Sequence, residues 1–329
     1  MACIGCPAAA GSPQSREMEN ELSHSLICRI FADAGLGTIG SIEKIGIGFS
    51  NDVYSVDDRY ILKAGRCGED DEYLLRDVYL CNLLSGRVPV PQIICCDASK
   101  TLLDGVYFIY HKIPGANLYC RWHLLNIPQR RELTRQICSI LRQINQTPYE
   151  GFAREFGIDT EQTWHDKMRS RLDGWMQKVG ERKLLPPETL AKTSNFLEKN
   201  LGVLRSQKMS LTYWDPHFDN IILSEDEQSI AGILDFERTD ILSIDYVLDL
   251  VRRMASRPGK YASEESEPFT RVEDYSELMR WYEEFYPEAF DFEDLDKRLD
   301  IYAIEHSLAE IFWYPKGTAA RKELLRCIG

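Results

Sequence analysis

Three polar residues stand at spacings that suit phosphoryl transfer. Asp215 and Asn220 lie five positions apart between two short apolar runs, and Asp235 ends a third run fifteen residues after Asn220. Transfer of a phosphoryl group from ATP needs one carboxylate that orients or deprotonates the acceptor hydroxyl. It also needs a carboxylate and an amide oxygen that hold Mg²⁺ on the phosphates. Asp215, Asn220 and Asp235 supply these groups.

Two earlier segments could serve the same chemistry. Gly46-Ile-Gly-Phe-Ser-Asn51 lies between two predicted strands, where its backbone N–H groups could bend toward phosphate. It lacks the endings of a dinucleotide fingerprint and of a P-loop. Lys63 ends the next strand and could pair with the α- and β-phosphates, oriented by either Asp77 or Glu72 of the following helix. Each piece alone is an ordinary turn or surface residue, and their order along the chain favours the functional interpretation.

The elements that must position these residues form two groups. Strands and helices alternate up to Pro114-Gly115, after which the pattern becomes mostly helical. The first group has predicted strands at 42–47, 52–57, 60–64, 92–97 and 104–111, and predicted helices at 19–34 and 70–84. The second group has predicted helices at 127–147, 160–180, 187–201, 242–255, 270–286, 292–312 and 318–327, with short strands within 208–235. A hydrophobic core rarely grows past roughly 250–300 residues, so two lobes are expected.

As an ordered set, the motifs resemble the aminoglycoside phosphotransferase family, a branch of the protein-kinase-like fold. The catalytic loop of that family, approximately His-Gly-Asp-x-His-x-x-Asn, is similar to Tyr213-Trp-Asp-Pro-His-Phe-Asp-Asn220. Its Ile-(Ile/Leu)-Asp-(Phe/Trp)-(Gly/Glu) element is similar to Ile233-Leu-Asp-Phe-Glu237. Its Asp-x-x-x-Asp-Leu element is similar to Asp245-Tyr-Val-Leu-Asp-Leu250. The resemblance covers roughly residues 40–255.

The resemblance implies an α+β, two-lobed fold with a small antiparallel-sheet N-lobe, a mainly helical C-lobe, and ATP with Mg²⁺ between them. We expect the N-lobe over 18–112 and the C-lobe over 113–329. Residues 1–17 are small, polar and unpatterned, which predicts a disordered tail.

The resemblance also implies a role for each matching residue. Asp215 is the catalytic base, and Asn220 and Asp235 are Mg²⁺ ligands. Lys63 contacts phosphate, with Asp77 as its helix partner. The remaining nucleotide-binding residues are Gly46, Gly48 and Ser50 at the phosphates, and backbone groups of Ile109, His111 and Ile113 at adenine. Asp245 and Asp249 are expected to brace the catalytic loop, and His217 to fill a structural slot in it.

Composition excludes several other classes of function. The net charge of −13 argues against a nucleic-acid partner, because phosphate backbones bind basic surfaces. No run approaches the ~18 apolar residues of a membrane helix, and the first residues do not form a secretory signal. The ten cysteines are scattered, which indicates reduced thiols rather than a disulfide framework. We therefore expect a cytoplasmic protein.

One stretch of the chain is strongly acidic. Residues 262–300 contain fourteen Asp and Glu against four Lys and Arg. Such a stretch is either a solvated helical face or a source of field that attracts cationic substrates, and the sequence leaves both interpretations open.

The sequence predicts an ATP-dependent kinase for a hydroxyl group of a small molecule, most plausibly an aminoglycoside-type antibiotic. The alternatives are a metabolite kinase of the choline, sugar or fructosamine type and a non-catalytic nucleotide-binding protein. Tyr213 stands where the family has histidine, and Asp77 where it usually has glutamate. These two departures support the non-catalytic alternative, and the retained lysine, aspartates and asparagine argue against it.

Overall fold

The computed structural model describes residues 22–47, 51–65, 71–261 and 267–329. The predicted tail and the turn residues Gly48 and Ser50 lie outside these ranges. The described chain is a mixed α+β protein, in which a five-stranded antiparallel sheet precedes a mainly helical region, as the sequence predicts. It divides into two compact units. The sheet unit comprises the described residues of 22–129 together with those of 215–239, and the helical unit comprises the described residues of 130–214 together with those of 240–329.

The main sheet of the sheet unit confirms the five strands predicted in the first part of the chain. Its strands follow the order β1-β2-β3-β5-β4, and each pairs antiparallel with its neighbour. Their bounds are β1 (Ile42–Ile47), β2 (Asn51–Val56), β3 (Tyr60–Gly65), β4 (Ile93–Asp97) and β5 (Tyr107–His111). The fifth strand is shorter than predicted, because only Tyr107–His111 pairs with β3 and β4.

Two helices pack on this sheet and explain why every residue of β3 is buried. Helix α1 (His24–Asp33) begins at Ser23, whose side chain accepts a hydrogen bond from the Leu26 backbone. Its apolar stripe packs with Leu62 and the other residues of β3 that share its face. Helix α2 (Asp71–Leu84) packs with Ile61 on the opposite face. Since side chains alternate along a strand, Lys63 lies on the same face as Ile61.

A smaller sheet in the same unit contains the strand that follows Asn220 and the strand that precedes Asp235. It has the order β6-β8-β9 and antiparallel pairing. Its strands are β6 (Ala116–Asn117), β8 (Ile221–Leu223) and β9 (Ile230–Ile233), and the short helix α3 (Leu118–Trp122) follows β6. Gly115 takes a φ of +132°, and a Cβ there would overlap the carbonyl oxygen of Leu223. Only glycine therefore lets the chain enter β6 so close to β8.

The helical unit contains nine helices among the described residues, the first of which begins just before the boundary. They are α4 (Ile127–Asn145), α5 (Glu150–Glu155), α6 (Trp164–Glu181), α7 (Pro187–Asn200), α8 (Val247–Ser256), α9 (Leu278–Phe285), α10 (Pro287–Phe290), α11 (Leu295–Trp313) and α12 (Ala319–Ile328). Helix α11 is buried on all sides from Ile301 to Phe312, so it forms the centre of the core of this unit. No described helix is long and apolar enough to span a membrane.

The prediction of a helix over 242–255 is wrong at its start. Residues Asp240–Ser243 form strand β10, which pairs antiparallel with β7 (Met209–Thr212), and a 3₁₀ turn separates β10 from α8. Ile241 and Leu242 are buried in this pairing, and their apolar run is compatible with either element. The predicted helix over 270–286 likewise begins with a 3₁₀ turn, and α9 starts at Leu278.

Candidate active site

Lys63 is at the centre of a buried group of charges within the sheet unit. Its Nζ lies 2.9 Å from Oδ2 of Asp77, 2.6 Å from Oδ1 of Asp235 and 3.4 Å from Oε2 of Glu237. Strand β3 provides the lysine, helix α2 provides Asp77, and the segment after β9 provides the other two. The structure therefore brings together three residues that the sequence places far apart, and adds Glu237, to which the sequence analysis gives no role.

The helix acid at Lys63 is Asp77 and not Glu72. Glu72 pairs with Arg76 one turn further along α2, and its side chain is exposed. Asp77 occupies the buried face of the helix, and its second oxygen, Oδ1, accepts a hydrogen bond of 3.1 Å from the backbone N–H of Phe236. The aspartate thus contacts both the lysine and the backbone beside Asp235.

The pKa values of this group follow from burial and from mutual charge. Burial alone would lower the pKa of Lys63, but Asp235, Asp77 and Glu237 raise it well above its ordinary value. Burial would raise the pKa of Asp235, and the Lys63 ammonium lowers it instead. Burial, with repulsion from Asp235, raises the pKa of Glu237. Lys63 is therefore a cation and Asp235 a carboxylate at neutral pH.

Asp235 differs from its neighbours in conformation and exposure. Its backbone is left-handed, with φ 67° and ψ 62°, a region that aspartate tolerates better than most residues. Its side chain is 38% exposed, whereas that of Asp77 is 5% exposed. Left-handed residues other than glycine occur preferentially at functional sites. Of the carboxylates around Lys63, Asp235 is the one most accessible to a ligand.

The pairing of β8 with β9 brings Asn220 close to Asp235. Asn220 precedes β8 directly, and its carbonyl accepts a hydrogen bond of 2.8 Å from the backbone N–H of Leu234, which precedes Asp235. The side-chain Nδ2 of Asn220 donates a hydrogen bond to the carbonyl oxygen of Asp215 at 3.2 Å. The Oδ1 atom of Asn220 is at the other end of the same amide group. One hairpin thereby sets the spacing of all three predicted catalytic and metal-binding residues.

The loop that carries Asp215 is fixed by aromatic packing. Phe218 is fully buried, with its ring 4.6 Å from that of Trp122 and 5.3 Å from that of Tyr119. The ring of His217 lies edge-on to Tyr119 at 5.1 Å, in agreement with a structural position for this histidine. Helix α3, which the sequence analysis does not predict, therefore anchors the catalytic loop.

Asn117 and Asp219 are further polar residues of this loop region. The Asn117 side chain caps α3 by accepting from the Tyr119 backbone, and it donates to the carbonyl of Asp219 at 2.8 Å. Burial raises the pKa of the Asp219 carboxyl to about 6. An asparagine directly before an apolar, aromatic run is a capping signal that could have identified both α3 and this contact.

The residues predicted to contact adenine lie at and after the end of β5. Ile109 is inside the sheet, with its backbone paired on both sides and its side chain in the core beneath α1. His111 ends the strand and is exposed. Ile113 packs against β9 so closely that a Cβ on Gly232 would overlap its side chain. His111 still pairs with Tyr60, and the backbone N–H groups of His111 and Lys112 donate to the carbonyls of Gln92 and Arg59. Of the residues predicted to contact adenine, Ile113 is therefore the one that lies beyond the paired part of β5.

The donor set suits Mg²⁺ bound together with phosphates. Among the described residues, no three His, Cys, Asp or Glu side chains form a metal-binding group by themselves. Asp235 and the amide oxygen of Asn220 are hard oxygen donors, and Mg²⁺ commonly takes one or two protein ligands together with phosphate oxygens and water. These two residues would hold the ion.

The remaining family motifs lie in the helical unit. Tyr213 is buried directly after β7. Asp245 is fully buried and bonds Arg298, Tyr302 and Ser243, of which Ser243 belongs to the strand paired with β7. Within this unit, the contacts of Asp245 therefore stabilise the strand that leads into the catalytic loop.

A five-stranded sheet with a lysine–carboxylate group, followed by a mainly helical region, defines a kinase-like phosphotransferase fold. Residues 41–285 match the model of the phosphotransferase enzyme family, APH, and the chain belongs to this family of small-molecule phosphotransferases. No curated protein sequence matches the chain.

Solved structures with the same fold are aminoglycoside phosphotransferases. The chain is similar to ADP-bound APH(2'')-Ib, with a TM-score of 0.66 and 14% sequence identity over 93% of this chain and 97% of that chain. It is also similar to the GDP complex of wild-type aminoglycoside 2'-phosphotransferase-IIIa, with a TM-score of 0.67 and 17% identity over 92% and 95%. A thermostable mutant of APH(4)-Ia gives a TM-score of 0.66 and 15% identity over 93% and 98%. At such identities the likeness establishes the fold.

Proposed function

We propose that this protein transfers the γ-phosphate of ATP to a hydroxyl group of a small molecule, and that the acceptor is an aminoglycoside-type antibiotic. The observation that carries the proposal is the convergence of Lys63, Asp77 and Asp235 in one buried group, with Asn220 positioned beside them by the β8–β9 hairpin. Similar folds occur in a kanamycin complex and in a gentamicin complex.

Each residue has a separate task in this proposal. Asp215 orients the acceptor hydroxyl and accepts its proton, so that the oxygen attacks the γ-phosphate in line. Lys63, oriented by Asp77, contacts the α- and β-phosphates. Asp235 and Asn220 hold Mg²⁺, which when bound offsets the charge on the phosphates.

A metabolite kinase is the second candidate, and one observation favours it. In the described part of the acidic stretch, at least seven of the twelve Asp and Glu of 267–300 form ion pairs within the helical unit. Asp274, for example, pairs with Arg130, and Glu288 pairs with Arg142. Paired carboxylates generate a weaker field, so they provide less attraction for a polycationic acceptor. Neutral or singly charged acceptors such as sugars and choline therefore belong in the test.

The test is ADP release from Mg-ATP with a panel of aminoglycosides, macrolides, choline, sugars and glycated amines. Strong release with an aminoglycoside supports the proposal, and release with one of the metabolites replaces it by the second candidate. Nucleotide binding without release for any acceptor would count against both and favour a non-catalytic nucleotide-binding protein.

A further inference from the structure

Asn51 makes a buried contact with a residue that is distant in the sequence. It is the first residue of β2, only 5% of it is exposed, and its Nδ2 donates to Oε2 of Glu237 at 3.0 Å. Its Oδ1 is buried and finds no donor among the described residues. The amide is therefore oriented by its bond to Glu237, a residue 186 positions away in the sequence.

The same oxygen of Glu237 that accepts from Asn51 also accepts from Lys63, at 3.4 Å. Glu237 thus connects the start of β2 to the lysine within β3. Burying a carboxylate and an amide costs free energy unless each is compensated by hydrogen bonds. The hydrogen bond from Nδ2 of Asn51 to Oε2 of Glu237 offsets part of this cost, while Oδ1 of Asn51 stays buried with no donor among the described residues. Apolar side chains would pack in this region at lower cost.

Lys63 is shared among three carboxylates that differ in accessibility. The Asp235 side chain is 38% exposed, whereas those of Asp77 and Glu237 are 5% and 11% exposed. A cation that enters from solvent meets Asp235 first and draws this carboxylate away from the lysine. Asp77 and Glu237 then remain as the acceptors that keep the ammonium in place.

We propose that Asn51 and Glu237 form a latch that keeps Lys63 positioned for nucleotide phosphates when Asp235 is engaged by Mg²⁺. The inference rests on the proposed function. Glu237 and Asn51 act through Lys63, so they are positioning residues.

The latch predicts a thermodynamic coupling between two residues on different segments. Glu237→Gln keeps the size and one acceptor oxygen but removes the charge, and Asn51→Ala removes the donor. We expect each variant to weaken nucleotide binding in the presence of Mg²⁺, by about tenfold for Glu237→Gln and about threefold for Asn51→Ala. If the latch is one unit, the double variant should bind no more weakly than Glu237→Gln alone.

The experiment measures the Kd of a fluorescent ATP analogue, with and without Mg²⁺, together with KM and kcat for ATP. We expect the loss mainly in Kd and KM, with kcat at saturating ATP changed by less than about threefold. Asp52→Asn is the matched control, because Asp52 is the next residue of β2 and pairs with Lys44 instead. Asn51→Val, which fills more of the side-chain volume and also lacks the donor, replaces Asn51→Ala if the latter does not fold.

Additive losses in the double variant, or losses equal to those of Asp52→Asn, would overturn the latch. So would a fall in kcat with unchanged nucleotide affinity. The proposed function is tested separately, and it is wrong if the wild-type protein binds the analogue but transfers phosphate to no acceptor. The Kd comparison needs no acceptor, so it tests the latch in that case too.

Discussion

The carboxylate of Asp77 accepts two hydrogen bonds, one from Nζ of Lys63 at 2.9 Å and one from the backbone N–H of Phe236 at 3.1 Å. One side chain therefore sets the distance between helix α2, strand β3 and the segment that carries Asp235. A glutamate at this position would place the carboxylate one methylene further from the helix. The departure from the family pattern at Asp77 thus coincides with a short connection to the backbone beside Asp235.

Two substitutions separate the charge of Asp77 from its role as an acceptor. Asp77→Asn keeps one acceptor oxygen, and Asp77→Ala keeps none. We expect both to lower kcat/KM for ATP by about 10–100-fold, because Lys63 loses its buried helix partner. Asp77→Ala should also lower the free energy of unfolding by about 1–3 kcal/mol more than Asp77→Asn, since the buried N–H of Phe236 loses the carboxylate acceptor.

Steady-state kinetics and urea unfolding check these expectations, with Glu72→Ala as the control. Glu72 pairs with Arg76 on the exposed side of the same helix, so its removal should change neither quantity measurably. A loss of activity in Glu72→Ala as large as in Asp77→Asn would contradict the assignment of Asp77 as the helix partner.

The order of the chemical groups was predictable because each lies in or next to a strand. Lys63 lies within β3, Asn220 precedes β8, and Asp235 follows β9, so the strand pattern fixes where each one emerges. The family resemblance implied Asp77 as the partner of Lys63, but the residues alone left Glu72 open, since both lie on α2 and packing decides which face is buried. The hydrogen bond between Asn51 and Glu237 could not be predicted either, because the two residues are 186 positions apart and only the folded chain brings them together.

The elements that the sequence analysis missed are short. Helix α3 and strand β6 are five and two residues long, too short for a periodic signal. Strand β10 was assigned to a helix because its apolar residues run directly into the pattern of α8. The pairing of Asp240–Ser243 with Met209–Thr212 is a tertiary contact, and it overrides the local pattern.

Asp215 is expected to contribute to chemistry and little to nucleotide binding. Asp215→Asn should lower kcat by about 10²–10⁴-fold, the range for loss of a general base, and leave the Kd of an ATP analogue within about threefold. ADP release and fluorescence binding measure the two quantities. Glu225→Gln is the control, because this carboxylate is exposed after β8. Near-normal turnover by Asp215→Asn would refute the assignment of the base.

The metal dependence distinguishes Asp235 from Asn220. Asp235→Asn removes a charged oxygen ligand, so the Mg²⁺ concentration for half-maximal nucleotide binding should rise by about tenfold or more. Asn220→Asp keeps an oxygen ligand but loses the hydrogen bond from Nδ2 to the Asp215 carbonyl. It should therefore lower kcat more than it changes the Mg²⁺ requirement. Superimposable Mg²⁺ titrations of Asp235→Asn and wild type would contradict the proposed ligand.

A histidine in the helical unit should make stability depend on pH. His306 is buried, and its Nε2 lies 2.9 Å from Nη1 of Arg253. Arginine can only donate, so Nε2 is the acceptor of a neutral ring. Burial, with the charges of Arg253, Lys260 and Arg257, lowers the pKa of His306 well below its ordinary value of 6.5, although Glu310 lies 3.9 Å from Nε2.

Below about pH 6.5 the unfolded chain therefore binds a proton that the native protein does not bind. The stabilisation present above this pH is lost as the pH falls, at up to about 1.4 kcal/mol per pH unit, or about 2 kcal/mol between pH 7 and pH 5. Urea unfolding across this range should show a shallower pH dependence for His306→Gln, whose side-chain oxygen can still accept from Arg253. His24→Gln, on the exposed side of α1, should follow the wild-type curve. Equal slopes for wild type and His306→Gln would show that His306 takes up its proton in the native state, and that the bond from Arg253 does not keep the ring neutral.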